Sequence, residues 1–315
     1  MALLVRPTVG LALGGGAARG LSHIGVLEAF EEYGLPVDVI AGTSMGAMVG
    51  AMYAANPRAT AVRQRFLDYL QSDAFKNSRF DYLMNYPQEN IGFFDRLSQL
   101  ARKSVFYTLI MTRTAFIGEE ASQQNFALLI DDMDLSGTRI PFCTTALDLV
   151  SAREYVFRDG PLREAVAASC AIPGLLPPVQ REGHYLIDGG WINAVPVAAA
   201  RSLGAEVVIG VDVYSDLDPF IPPETAVDVA ARAEAVTRWN LTTRMAQAAD
   251  CLLQPESGIS HWADFSQFEA AVASGREEVR RQLPRLRKLM RKRLRFDGIS
   301  KRFLAPGKAF ANSSR

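Results

Sequence analysis

The 315-residue chain is 49% hydrophobic, enough to build a large core, and its 34 basic side chains balance its 34 acidic ones. This balance favours neither nucleic acid nor an acidic substrate as a partner. Three scattered cysteines argue against a disulfide framework or a cysteine-based metal site, and they favour a reducing compartment.

The N-terminal residues lack a basic segment ahead of an apolar one, so the sequence predicts no signal peptide. The longest apolar run, 39–55, is interrupted by Thr43 and Ser44 and is shorter than the roughly 20 residues that cross a bilayer. We therefore expect a cytoplasmic protein.

Apolar runs and helical spacing alternate along the chain, beginning with a strand at 9–13, a glycine turn and a helix at 21–33. A second strand is predicted over 37–41, followed by a helix of small residues over 45–55. Further strands are predicted at 140–149, 155–157, 185–187, 206–213 and 251–253, and further helices at 162–169, 197–203 and 225–248. This alternation predicts an α/β fold in three layers, a mostly parallel sheet with helices on both faces.

Two segments depart from the alternation, although no linker or repeat divides residues 1–296 into separate domains. Residues 75–117 are an aromatic insert of predicted irregular helices, which either cover the site as an acyl-binding lid or pack in the core. Candidate wall residues of such a lid are Phe93, Phe94, Phe106 and Tyr107.

The basic segment 275–296 is predicted to be helical, with a kink or a new helix at Pro284. Its basic face is either solvated or docks on anionic lipid, which would give peripheral contact with the inner membrane. Residues 297–315 are predicted to be a poorly ordered tail.

The first glycine turn reads LGGGAARG over 13–20. A dinucleotide-binding fingerprint needs glycines at its first, third and sixth positions and an acid after the second strand. Neither condition is met, since the glycine spacing differs and the second strand ends at Ala41 and Gly42. The turn therefore does not predict a dinucleotide cofactor.

The second turn has the pattern G-x-S-x-G, from Gly42 through Ser44 to Gly46. An apolar strand precedes it and a small-residue helix follows it, which is the setting of a nucleophile elbow. Glycines flank the serine because side chains at those positions would clash. The helix N-terminus also favours negative charge developing at the reacting centre.

With a nucleophile in the second turn, the first turn predicts an oxyanion hole. Its backbone N–H groups can converge on one point, and we assign this role to Gly15, Gly16 and Ala17, with Arg19 anchoring the loop. The alternative is a turn that only lets the helix pack on the strand.

A base must take the proton of Ser44. A triad of Ser44, either Asp188 or Asp212, and His261 is possible in chain order. However, the serine follows only the second strand of the chain, and His261 lies in a predicted surface loop. The triad is therefore disfavoured.

Asp188 is the stronger candidate for the base. It ends a short apolar strand and precedes Gly189 and Gly190, so its carboxylate can be held at the same sheet edge as Ser44. Burial beside an apolar pocket would raise its pKa toward the working range of a base. The alternative is a simple turn after the strand.

Four segments together resemble the patatin-like phospholipase family in its compact bacterial form, over residues 8–255. They are LALGGGAARGLSHIGVLEAF, IAGTSMGAMVGAMYA, AVAASCAIPGLLPPV and YLIDGGWINAVPV. The resemblance implies a Ser–Asp dyad without histidine, with Ser44 as nucleophile and Asp188 as base. The family's glycine loop maps to residues 15–20, and Ala17 stands where the family usually has glycine.

The predicted activity is hydrolysis of fatty-acyl esters of (lyso)phospholipids or related lipids through an acyl-enzyme. The sequence offers no calcium loop or zinc cluster, so we expect neither metal nor cofactor. Two alternatives remain open, an acyltransferase with the same dyad and a regulator that binds lipid or a partner with little turnover.

Overall fold

The computed structural model describes residues 2–77, 114–213, 217, 220–259, 261–291 and 293–296. Most of the aromatic insert, including its four candidate wall residues, lies outside these ranges, as does the tail at 297–315. None of the helices in the described ranges is both long and apolar enough to cross a membrane.

The strands and helices follow the predicted alternation, with additional elements between them. The strands are β1 (Ala2–Val5), β2 (Val9–Leu13), β3 (Val39–Gly42), β4 (Phe142–Asp148), β5 (Arg153–Phe157), β6 (Val179–Arg181), β7 (His184–Asp188), β8 (Val207–Val211), β9 (Cys251–Leu253) and β10 (Arg293–Phe296). The helices are α1 (Ser22–Glu32), α2 (Met45–Ala55), α3 (Ala59–Gln71), α4 (Asp73–Asn77), α5 (Glu119–Leu129), α6 (Leu162–Ser169), α7 (Val197–Ser202), α8 (Ala226–Ala246) and α9 (Phe268–Leu289).

The main sheet has the strand order β6-β7-β4-β3-β2-β8-β9, with β5 paired to β4. Strands β4, β3, β2, β8 and β9 are parallel neighbours, which confirms the predicted mostly parallel sheet. The edge beyond β4 is antiparallel, since β5 and β7 both run opposite to β4.

The parallel part of the sheet is buried on both faces, which explains the nearly continuous apolar sequences of β2, β3 and β8. In β2, Leu11 and Leu13 pack into a core shared with α1 and α2, whereas Ala12 packs into a second core with Ala199 and Ala200 of α7. The helices on opposite faces complete the predicted three layers.

The C-terminal helix packs against α1 at unusually short range. A Cβ atom added to Gly25 would lie 1.8 Å from the carbonyl oxygen of Val272, and one added to Gly275 would lie 2.0 Å from that of Ser22. Since real Cβ atoms do not approach so closely, both positions require glycine. This crossing fixes α9 on the outside of α1.

The prediction of a single basic helix over 275–296 is wrong at its C-terminal end. Helix α9 runs through Pro284 without a break but stops at Leu289, and residues 293–296 form β10, antiparallel to β1. The reason is that the spacing of apolar residues changes from helical to alternating, because the sequence RLRF places basic and apolar residues in turn, as a strand does.

Candidate active site

Ser44 occupies a strained turn between β3 and α2. Its backbone has φ 53° and ψ −121°, a conformation that costs a non-glycine residue on the order of 1–3 kcal/mol. A Cβ atom on Gly42 would lie 2.5 Å from Cα of Ala47, and one on Gly46 would lie 2.1 Å from the carbonyl oxygen of Leu13. The two flanking glycines are therefore required for the turn to close against the sheet.

Ser44 and Asp188, 144 residues apart in sequence, are in direct contact. The Ser44 hydroxyl donates a hydrogen bond of 2.6 Å to Oδ2 of Asp188, and the Gly190 N–H donates one of 2.7 Å to Oδ1. Gly189 lies against β4, where a Cβ atom would be 2.5 Å from the carbonyl oxygen of Thr145. Both glycines after Asp188 thus help to hold its carboxylate.

Burial raises the pKa of Asp188 from 3.8 to about 6, although the hydrogen bonds from Ser44 and Gly190 and the positive charge of Arg238 oppose that shift. The side chain is only 3% exposed. A carboxylate with this pKa is ionised at neutral pH and is a stronger base than an exposed aspartate.

The glycine loop before α1 has two N–H groups that no acceptor in the described ranges occupies, those of Gly16 and Ala17. The predicted third donor, Gly15, is different, because its N–H donates to the carbonyl oxygen of Ala194 at 2.9 Å. This bond ties the loop to the chain that follows Asp188. Gly15 therefore positions the loop, and its N–H is not directed at the site.

Ala17 has φ 48°, in the left-handed region that favours glycine. Its neighbour Arg19 is 9% exposed and donates from Nε to the carbonyl oxygen of Ile259 at 3.0 Å. The Ala18 N–H also donates to the carbonyl oxygen of Trp262, at 2.8 Å. These bonds tie the loop to residues 259–262 and help to hold Ala17 in its strained conformation.

A family model described as patatin-like phospholipase matches residues 11–201, which include the glycine loop, the elbow and Asp188. The chain belongs to the patatin-like phospholipase family. It is 32% identical over 241 residues to patatin-like phospholipase domain-containing protein 6 of Homo sapiens, covering 75% of this chain and 15% of that protein. It is 31% identical over 270 residues to lysophospholipase nte1 of Emericella nidulans, covering 84% of this chain and 15% of that protein.

The chain thus spans about 15% of the length of these two relatives. Among solved structures, VipD from Legionella pneumophila aligns with a TM-score of 0.47 and 14% identity, over 90% of this chain and 68% of that one.

Two side chains of the third family segment hold the strained backbone of Ser44, a role that the sequence did not reveal. The Ser44 N–H donates to Oγ of Ser169 at 2.9 Å, and the Cys170 thiol donates to the carbonyl oxygen of Ser44 at 3.3 Å. Both residues are buried at the C-terminal end of α6. No local pattern signals this contact, because it joins residues about 125 positions apart.

Two cavities meet at Ser44. Both are partly open to solvent, and the larger, of about 300 Å³ and here called the open cavity, includes the glycine loop, Asp188 and part of α8. The smaller, of about 80 Å³, is an apolar slot. Its lining includes Met45, Met48, Tyr69, Phe126, Leu129, Cys170, Leu175 and Leu176.

The histidines do not complete a triad, since none lines either cavity in the described part of the chain. His23 is buried and bonds to the carbonyl oxygen of Gly14 at 2.7 Å, and its burial lowers its pKa to about 4. His184 bonds to Asp148 at 2.8 Å, and His261 stacks on Trp262. Among the described residues, no group of three or more His, Cys, Asp or Glu side chains is arranged to hold a metal ion.

Proposed function

We propose that this chain is a serine acylhydrolase that cleaves fatty-acyl esters of (lyso)phospholipids through a Ser44–Asp188 dyad. The observation that carries the proposal is the 2.6 Å hydrogen bond from a strained, buried serine to a buried carboxylate. Membership of the family, and a lysophospholipase among the relatives, support a lipid ester as the substrate.

In the first half of the reaction, the Asp188 carboxylate takes the proton of Ser44 while Oγ attacks the acyl carbonyl carbon. The carbonyl π electrons move to oxygen, and the N–H groups of Gly16 and Ala17 stabilise this oxyanion. Collapse of the intermediate breaks the ester bond, and the departing alkoxide takes the proton from Asp188. The product is an acyl-enzyme with the acyl group on Ser44.

In the second half, water replaces the departed alcohol. It gives a proton to Asp188 as its oxygen attacks the acyl carbonyl carbon, and collapse of the second intermediate returns the proton to Ser44 and frees the fatty acid. One base serves both halves because Asp188 is regenerated after each. The raised pKa suits this dual role, since the protonated form must also act as an acid.

The test is hydrolysis of p-nitrophenyl acyl esters and a lysophospholipid by the parent, Ser44→Ala and Asp188→Asn proteins. We expect both variants to lose at least about a thousandfold in kcat, since members of a dyad act as a unit. In the parent, kcat/KM should rise with pH through about 6 and then level off, as Asp188 ionises.

Full activity in Ser44→Ala would refute the dyad. Accumulation of an acylated alcohol instead of fatty acid, with glycerol added as acceptor, would favour the acyltransferase alternative. Binding of lipid by the parent without turnover of any ester would favour the regulator.

Peripheral contact with an anionic membrane through the basic segment is a separate proposal. Within α9, Arg276, Arg280 and Arg281 pair with glutamates. The exposed residues Arg287 and Lys288 have no ion-pair partner in the described ranges, so the contact would rest on the end of the helix. Replacing both by Gln should weaken sedimentation with phosphatidylglycerol vesicles, whereas unchanged sedimentation would refute this contact.

A further inference from the structure

The two cavities at Ser44 differ in chemistry, and this difference assigns a direction to the substrate. Met45, Met48 and Cys170 line only the apolar slot, whereas Asp188 and Gly190 line only the open cavity. In the proposed reaction, the leaving oxygen takes its proton from Asp188. The alcohol part of the ester therefore lies in the open cavity, and the acyl chain lies in the slot.

The walls of the open cavity concentrate aromatic and cationic groups. The chain has three tryptophans, and all of them line this cavity: Trp191 and Trp239 line it alone, whereas Trp262 also lines the slot. Trp191 ends the short 3-10 turn that follows Asp188, Trp239 lies on α8, and Trp262 precedes α9. Residues far apart in sequence thus bring their indole rings to one site.

Arg19 and Arg238 both line this cavity, but Arg19 is buried and its Nε donates to the carbonyl oxygen of Ile259, so Arg238 is the more exposed cation of the wall. The guanidinium of Arg238 lies 4.7 Å from the centre of the Trp191 ring, and its Nε lies 3.4 Å from Oε1 of Glu234 on the same helix. Its side chain is 28% exposed, and it lines the cavity together with Thr242. The stacking fixes the plane of the guanidinium, which reduces the entropy lost when it binds a ligand.

We propose that the open cavity is a head-group subsite in which Arg238 binds the phosphate of a single-chain phospholipid, while the carbonyl end of the acyl chain occupies the slot. This inference rests on the proposed function for the position of the ester. A guanidinium donates two parallel N–H bonds to a phosphate, and indole rings suit the glycerol backbone because they combine an apolar face with an N–H donor. A neutral ester of the same chain length would fill the slot equally well but would offer no phosphate to Arg238.

Binding is measured first, by tryptophan fluorescence of the Ser44→Ala protein, because Trp191 and Trp239 line this cavity and not the slot, and no turnover is needed. The probes are a lysophosphatidylcholine below its critical micelle concentration, the monoacylglycerol with the same chain, and glycerol 3-phosphate. We expect the lysophospholipid to bind at least about tenfold more tightly than either of the others. Equal binding of the monoacylglycerol would overturn the subsite, and equal binding of glycerol 3-phosphate would reassign it to a free phosphate ester.

Kinetic measurements then test the role of Arg238, through the ratio of kcat/KM for the lysophospholipid to kcat/KM for the monoacylglycerol. We expect Arg238→Gln to lower this ratio at least about tenfold, mainly through the KM of the lysophospholipid, and Arg238→Lys to retain part of it. Arg244→Gln is the matched control, since Arg244 is an exposed residue of the same helix that does not line the cavity. A ratio in Arg238→Gln equal to that of the parent would overturn the proposal.

The two proposals fail differently. If the parent hydrolysed no ester but the lysophospholipid still bound in a manner that Arg238→Gln weakened, the subsite would stand and the hydrolase would not. If the parent hydrolysed both lipids, and the ratio of their kcat/KM values were the same in the parent and in every Arg238 variant, the hydrolase would stand and the subsite would not. For the Arg238 variants, dissociation constants are compared instead of fluorescence amplitudes, because loss of the stacked guanidinium itself changes the emission of Trp191.

Discussion

Replacing Asp188 by Asn should stabilise the protein while it abolishes ester hydrolysis. The buried carboxylate is held by hydrogen bonds from Ser44 and Gly190, and an Asn amide of the same shape can accept from Gly190 and donate to Ser44. What the substitution removes is the free-energy cost of ionising a group that is only 3% exposed. Catalysis and stability are therefore opposed at this position.

The magnitude follows from the pKa of Asp188, which burial raises from 3.8 to about 6. Between these two pH values the folded protein binds a proton that the unfolded chain has already released, so the free energy of unfolding falls as pH rises. Two pH units correspond to about 3 kcal/mol, and this cost is complete above the folded pKa. We expect Asp188→Asn to gain up to about 3 kcal/mol at pH 7.5 and only a small fraction of that at pH 4, where the carboxyl of the folded parent is protonated.

The assay is urea unfolding of the parent and Asp188→Asn proteins at both pH values, together with p-nitrophenyl ester hydrolysis. Asp159→Asn is the control, since the side chain of Asp159 is 85% exposed and its replacement should shift stability by less than about 0.5 kcal/mol. A stability gain that is absent at pH 7.5, or that is equally large at pH 4, would show that ionisation of Asp188 does not destabilise the folded protein.

Three further substitutions test the support of the site. Ser169→Ala leaves the buried Ser44 N–H without its acceptor and should cost about 1–3 kcal/mol in urea unfolding and about tenfold in kcat for p-nitrophenyl esters. Ala17→Gly relieves a φ of 48° and should raise the free energy of unfolding by about 0.5–1 kcal/mol. Gly275→Ala forces a Cβ atom to 2.0 Å from a carbonyl oxygen of α1 and should lower the melting temperature by several degrees, whereas Gly118→Ala meets open space and should not.

The features that could be predicted from the sequence are those that neighbouring residues determine. The apolar run of β3, the glycines around Ser44 and the small residues of α2 form one continuous segment, and a strained turn needs glycine whatever surrounds it. The order of strands and helices was predictable for the same reason, because apolar residues recur with a different spacing in a helix and in a strand.

The direction of β7 could not be predicted, since pairing partners lie far apart in sequence. The sequence predicts Asp188 at the same sheet edge as Ser44 but gives no direction for its strand, and β7 is antiparallel to β4 and pairs Asp188 with Ala146. On the other side of β4, Gly42 at the end of β3 pairs with Thr144, which lies two residues from Ala146 along β4. The end of β7 therefore lies close to the level of Ser44. The carboxylate thus reaches the serine by a route that local patterns do not contain.

Other long-range contacts were missed for the same reason. The Ser169 hydroxyl bonds to Ser44 across 125 positions, and the Gly15 N–H bonds to Ala194, which removes it from the predicted oxyanion hole. The gathering of three tryptophans at one cavity depends on the packing of α8 and on residue 262, which no single segment specifies.

The central claim is that Ser44 carries the acyl group during turnover. The most direct test is rapid acid quenching of the parent after mixing with a p-nitrophenyl acyl ester, followed by intact-mass measurement and peptide mapping. We expect an adduct of one acyl group on Ser44, and no adduct in Ser44→Ala. An acyl group on another residue, or hydrolysis at the parent rate by Ser44→Ala, would contradict it.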